Sequence, residues 1–233
     1  MLQVKQFRYA VDNLGYLIYG ESCALVIDGG ASEQILSFIK TMGLNLLLVT
    51  NTHAHHDHTT GNRDLIERTK ARLLTYRDLP DNSGIELESH RIHIYHTPGH
   101  SHDSICFHVD NILITGDTFF NGTIGNCFTG DIMAFYLSIK RIMSLPQGTI
   151  IYAGHDYLKD AMSFARRLEP DNRDIDIFLR TYDQGHVCST LKDEMKVNPY
   201  LRFNDKKMIA LLKKMGLPWE TEWERWQSLM TLE

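Results

Sequence analysis

Apolar residues fall in short blocks separated by turns over the first two thirds of the chain, and at helical intervals over the last third. Residues 13–19, 23–27, 44–50 and 71–76 have strand length, the second block ending in Asp28-Gly29-Gly30. Residues 32–42 place Ile35, Leu36 and Ile39 on one helical face, with Ser32 as the expected cap and Gly43 as the stop. A shorter helix is expected over 61–69. From Gly84 onward the strand pattern returns at 85–87, 91–95, 104–109 and 112–115, with a tight Asp110-Asn111 turn joining the last two. Asp131 then caps a helix reaching Met143, residues 149–153 read as a last buried strand, and 157–168 read as a helix.

This alternation predicts an α/β sandwich. Beyond Glu169-Pro170-Asp171-Asn172 the strand signal is expected to vanish, leaving helices at 175–182, 205–215 and 220–230. The chain is therefore expected to divide into an α/β domain over 1–168 and a C-terminal helical appendage over 169–233. Trp219, Trp223 and Trp226 stand at helical spacing, as expected of an apolar face that docks on the body.

Length and charge narrow the function. At 233 residues the chain can bury a sizeable core. Its net charge of -5 contains no long run of either sign, which argues against nucleic acid or an anionic membrane as partner. No apolar run approaches the roughly 20 residues needed to span a bilayer, and the N-terminus shows no signal-like stretch. The mature chain is expected to start at Met1. Cys23, Cys106, Cys127 and Cys188 have no paired spacing, so a reducing cytoplasm is the expected location, as a monomer or small homo-oligomer, with Cys23 and Cys106 buried.

The segment Thr52-His53-Ala54-His55-His56-Asp57-His58 concentrates four imidazoles and a carboxylate directly after an apolar strand. Each of these groups needs water or a specific partner, so such crowding points to a metal ion. His53 and His55 alternate along an extended strand end, and Asp57 and His58 follow where the chain turns into a helix. His56 should face away. These four over-supply one catalytic site and under-supply two, since such a site takes about three protein ligands and leaves a position open. Pro98-Gly99-His100, Gly116-Asp117 and Gly154-His155 each pair a strand end with a glycine turn and a potential ligand. His90, His93, His108 and His186 lack that context, and His96 and His102, which flank the turn at 97–101, are expected to support the ligands from behind rather than to ligate.

In order and context, THAHHDH followed by TPGH, GD and GH resembles the metallo-β-lactamase superfamily over residues 13–168. The resemblance implies an αββα sandwich of two mixed β-sheets flanked by helices, with a binuclear metal site at one edge. Carried over residue by residue, His53, His55 and His100 would hold one metal, Asp57, His58 and His155 the second, and Asp117 would bridge them. An aspartate at 117, where true metallo-β-lactamases often place a cysteine, argues against antibiotic hydrolysis. Within the superfamily the chain looks most like glyoxalase II, the hydroxyacylglutathione hydrolases. That likeness rests on Gly154-His155-Asp156-Tyr157, Phe164-Ala165-Arg166, Ser189-Thr190-Leu191 and Asn198-Pro199-Tyr200-Leu201-Arg202.

The resemblance implies hydrolysis of a small-molecule thioester with two divalent metal ions, zinc first, with iron or manganese as alternatives. Two cations lower the pKa of a shared water from about 15.7 toward about 7, so no Ser or Cys nucleophile is required. Asp57 and Asp117 are the expected catalytic carboxylates. Asn126, Phe128 and Tyr157 are the expected substrate-binding residues, Asn126 and Phe128 replacing the family's lysine and tyrosine. The family's basic C-terminal motif is not recognisable in Trp219-Glu220-Thr221-Glu222-Trp223-Glu224-Arg225, whose acidity would repel carboxylates. The alternative is a persulfide dioxygenase with one iron on His53, His100 and Asp117. A metal-binding module without turnover is a third reading.

Overall fold

The computed structural model describes residues 2–232. The first sheet comprises β1 (Gln3–Tyr9), β2 (Asn13–Tyr19) and β3 (Cys23–Ile27), then, beyond α1 (Ser32–Met42), β4 (Asn45–Thr50). After α2 (His56–Thr59) and α3 (Asn62–Thr69) it ends at β5 (Arg72–Leu73), in spatial order β1-β2-β3-β4-β5. The second sheet is built from β6 (Gly84–Leu87), β7 (His90–His96), β8 (Ile105–Val109) and β9 (Ile112–Gly116). A small hairpin of β10 (Phe119–Phe120) and β11 (Thr123–Ile124) precedes α4 (Ile132–Met143) and β12 (Ile150–Ala153). The helices α5 (Leu158–Leu168) and α6 (Asp174–Thr181) lead to β13 (Ser189–Thr190), followed by α7 (Leu191–Val197), α8 (Lys206–Lys214) and α9 (Glu222–Met230). The second sheet has the order β13-β12-β9-β8-β7-β6.

Strand periodicity explains the layering. In β2, Leu14, Tyr16 and Ile18 point into the space between the sheets, where they meet Ile92, Ile94, Phe107 and Ile114 of the second sheet. Leu17 and Tyr19 point the other way and are covered by Ile35 and Ile39 of α1 and Leu65 of α3. Every residue of β2 is therefore buried. On the far side of the second sheet, Cys106, Leu113 and Ile151 pack under α4 and the C-terminal helices. The result is the expected four-layer αββα sandwich of mixed sheets, with β3 and β4 parallel in one and β9 and β12 parallel in the other.

The helical C-terminus docks as its tryptophan spacing predicts. Trp226 is fully buried, with ring centroids 5.5 Å from Tyr136, 6.1 Å from Phe203 and 6.3 Å from Phe135. The acidic ending is used in this docking: Glu222 accepts hydrogen bonds from Tyr136, Lys140 and Asn204.

Three expectations need correction, and one strand was not expected. The strand signal does not vanish after residue 169, because β13 adds to β12 as an antiparallel edge strand at Ile150↔Thr190 and Ile151↔Ser189. The N-terminal residues form β1, paired along its whole length with β2, although its mostly polar sequence carries little apolar signal. Ser32 is the first residue of α1 rather than its cap; Ala31 takes the cap position, and no side chain bonds there. The expected strand at 71–76 shortens to two residues because a 3-10 turn at Tyr76–Asp78, boxed by Thr75 and Asp78, takes over the backbone.

Candidate metal centre

The carboxyl ends of β3, β4, β9 and β12 open onto one rim, with the end of β7 beside them. Parallel pairing of β3 with β4, and of β9 with β12, puts their exits on the same side. Thus Asp28, the 51–58 loop, His100, Asp117 and His155 meet, although they are far apart in sequence. Gly154 sits where any side chain would collide, its added Cβ lying 2.2 Å from Asp117 Oδ1. Gly116 takes φ +51 and faces Thr52, so glycine at this strand end serves both backbone turn and close approach.

The candidate ligand atoms form two convergent sets. His53, His55 and His100 bring one nitrogen each within 4.8 Å of the others, Asp57, His58 and His155 bring one carboxylate oxygen and two nitrogens equally close, and a third group of His53, His58 and Asp117 overlaps both. Asp117 lies between the sets: its Oδ2 is 3.6 Å from His100 Nε2 and 3.5 Å from His155 Nε2, and its Oδ1 is 3.3 Å from His58 Nε2. The seven residues that the family resemblance named as ligands thus lie together at one point of the fold. His56 is exposed. His90 is held by the Glu88 carbonyl, His96 by the Leu79 carbonyl and His186 by Tyr152, while His93 faces His108 across two strands. None of them joins the sets among the described residues.

The other nitrogen of each buried imidazole is occupied. His58 Nδ1 donates to Asp28 at 3.0 Å, His155 Nδ1 to Asp12 at 2.9 Å and His100 Nδ1 to the Asn126 carbonyl at 3.1 Å. Thr52 donates its hydroxyl to Asp28 and so accepts from His53 Nδ1 at 3.1 Å. With the protons on Nδ1, four Nε2 lone pairs face inward. His55 adds its Nδ1 only 2.8 Å from His53 Nε2 and 3.1 Å from His100 Nε2, and a single proton there can satisfy one of those lone pairs at most.

His58 Nε2 and Asp117 Oδ1 are buried without a hydrogen-bond partner, although they stand 3.3 Å apart. Buried polar atoms seldom stay unpaired. Two orphans aimed at the same point, ringed by inward lone pairs, fit a cation. The electrostatics agree. Burial alone would lower His58, but Asp28 and Asp117 outweigh it and raise the imidazole to about 11. Burial likewise opposes ionisation of Asp117, yet His155 and His58 hold its carboxyl well below the usual range. His53 is pushed down to about 4, by burial first and then by the neighbouring His58. The carboxylates thus favour positive charge at this point, and His53 is kept neutral for ligation.

Asp28, Asp12 and Asn13 were not singled out as site residues by sequence reasoning. Asp28 is wholly buried at φ +54, an uncommon conformation outside glycine, and also accepts from the Thr52 backbone N–H at 2.8 Å. Asn13 donates to Asp57 at 2.8 Å. The available signal was a potential ligand beside glycine at a strand end, although in Asp28-Gly29-Gly30 the aspartate comes before the glycines, the reverse of the order in the other ligand turns.

The three expected substrate residues lie around the sets. Tyr157 stacks on His155 with ring centroids 5.0 Å apart and planes 6° from parallel. Phe128 is 68% exposed, its ring 5.1 Å from His100 and 6.1 Å from His55, so it flanks the other set. Asn126 meets His100 through its carbonyl, and its residue also lines a cavity bordered by Tyr157.

A fold and site of this kind define a class, and comparison with known proteins narrows it. Residues 10–83 and 73–155 match the metallo-beta-lactamase superfamily, and residues 156–231 match the hydroxyacylglutathione hydrolase C-terminus. A hydroxyacylglutathione hydrolase of Vibrio cholerae serotype O1 is 32% identical over 228 residues, covering 90% of each chain. One from Chromohalobacter salexigens is 30% identical over 240 residues, covering 93% of this chain and 92% of the relative. The crystal structure of ETHE1 from Myxococcus xanthus shares the fold at TM-score 0.69 and 23% identity, covering 93% of this chain and 92% of that one. The chain belongs to the metallo-β-lactamase superfamily and, within it, to the hydroxyacylglutathione hydrolase family. Among the described residues no helix is long and apolar enough to cross a membrane.

Proposed function

We propose that the chain hydrolyses S-2-hydroxyacylglutathione or a closely related thioester, using two divalent cations, zinc in the first instance. His53, His55 and His100 would hold one, and Asp57, His58 and His155 the other. Asp117 would be shared. The carrying observation is the pair of convergent donor sets with one carboxylate oxygen facing both. When bound, the cations supply a nucleophile at neutral pH and an electrophile for the carbonyl.

The chain's own groups then set geometry. Asp28, Asp12, Thr52 and the Asn126 carbonyl fix the imidazole tautomers, and Asn13 steadies Asp57, which can orient the attacking water. Tyr157 and Phe128 flank opposite sets, so a thioester lying across the centre would meet one ring at each end. The sandwich at 1–168 acts as the catalytic unit, and the appendage at 169–233 supports binding by bracing α5 through α6. Free cysteines throughout support action in a reducing compartment such as the cytoplasm.

Metal-loaded protein should release thiol from S-lactoylglutathione, followed with a thiol reagent, and Asp117→Ala should abolish release. Absence of thiol release from this and every smaller thioester would reject the reading. The dioxygenase reading needs only His53, His100 and Asp117, and leaves the second donor set without a role.

A further inference from the structure

One side of the centre carries a cavity of about 340 Å³ that the hydrolytic chemistry does not use. Its inner wall is Tyr157 and Phe120, the two rings that contact His155. Its outer wall is one face of α5, where Asp160, Ser163 and Arg167 follow at intervals of three and four residues. Both charged groups are exposed. Among the described residues neither has an ion pair or side-chain hydrogen bond, so both are free to meet a ligand.

Asp160 and Arg167 stand seven residues apart, about 10 Å along a helix at 1.5 Å per residue. The arginine, its guanidinium over the Phe164 ring at 5.4 Å, leaves the aspartate unpaired. Side chains on a helix lean toward its N-terminus, so Arg167 inclines toward Asp160 without closing the gap. A lone carboxylate entering here would meet Arg167 but be repelled by Asp160. A lone ammonium would meet the reverse. A carboxylate with an ammonium beside it satisfies both.

We propose that this cavity recognises the α-amino-acid terminus of the substrate's thiol part, Arg167 reading the carboxylate and Asp160 the ammonium. The inference rests on the thioester reading above and deepens it, because glutathione offers such a terminus. It also assigns direction: the thiol part lies on the His155 side, leaving the acyl part toward Phe128. Recognition of the thiol then uses the α5 face in place of the basic groups absent at Asn126, Phe128 and the C-terminal helix.

S-Methylglutathione, which cannot be hydrolysed, and its N-acetyl derivative serve as probes in calorimetric titrations of the metal-loaded protein. Wild type should bind the free-amine compound at least tenfold more tightly than the acetylated one. Arg167→Gln should weaken both at least tenfold, and Asp160→Asn should remove the preference between them. Equal wild-type affinity for the two probes, or an Arg167→Gln variant that binds like wild type, overturns the assignment. Thioester turnover by the same wild-type preparation is scored separately, so a failed subsite and a failed hydrolase are told apart.

Discussion

Asp28→Asn isolates what a buried carboxylate does from behind an imidazole. The wild-type side chain accepts from His58 Nδ1 at 3.0 Å, from the Thr52 hydroxyl at 2.7 Å and from the Thr52 N–H at 2.8 Å. The variant keeps the size and one acceptor. Its amide nitrogen, however, would face two donors, so either the Thr52 hydroxyl turns or the His58 proton moves to Nε2, the atom meant for ligation. Loss of a supporting partner of this kind costs about 10- to 100-fold in metal affinity, or about 1.4–2.7 kcal/mol. Competition with a chromophoric chelator resolves the two binding steps. The step belonging to Asp57, His58 and His155 should weaken by that factor, and the step belonging to His53, His55 and His100 by clearly less. Unchanged constants for both steps, or selective loss of the other step, would refute the assignment of Asp28.

Three further outcomes are expected. Gly154→Ala places a Cβ 2.2 Å from Asp117 Oδ1 and 3.0 Å from the Gly116 backbone carbon, so thioester turnover should drop at least about tenfold and urea unfolding of the metal-free protein should lose about 1–3 kcal/mol; full activity at unchanged stability would mean that the Asp117 position is not critical. Glu194 is wholly buried, and burial outweighs its bonds from Ser189, Gly122 and Asn198 to raise it from 4.5 to about 7. Because the folded state holds this proton more tightly, its stabilising effect is complete below about pH 4.5 and is lost as pH rises through about 7, a change of about 3 kcal/mol. Glu194→Gln should flatten that part of the urea-stability profile, and an unaltered slope would assign the dependence elsewhere. Trp226→Ala removes a fully buried ring among Phe135, Tyr136, Tyr200 and Phe203 and should cost about 3–5 kcal/mol in urea unfolding, whereas a loss under about 1 kcal/mol would mean that the C-terminal helices dock by other contacts.

The parts of this molecule legible in sequence are those whose signal is local. An apolar run such as Leu46 to Val49 reads as a strand by itself, and the crowded histidines after it read as a metal site because no packing need explains them. Asp131 and Gly43 announce helix ends, and both act so: Ala134 N–H bonds Asp131, and Gly43 takes the left-handed C-cap. What stayed hidden depends on partners distant in sequence. Gln3–Tyr9 is largely polar and becomes a strand by pairing with β2. Ser189–Thr190 is too short to read as a strand before β12 offers an edge. Asp28 shows locally only a glycine turn at a strand end, and its role emerges when the fold brings His58, thirty residues later, to 3.0 Å. Arg167 likewise looks like any helix-surface cation until the cavity beneath α5 shows what it faces.

The central claim is a binuclear thioester hydrolase, and metal stoichiometry measured alongside turnover tests it most directly. Elemental analysis of active protein should find two divalent ions per chain, with thiol release from S-lactoylglutathione rising as the second ion binds. One iron per chain, with oxygen uptake on glutathione persulfide and no thiol release from thioesters, would contradict it.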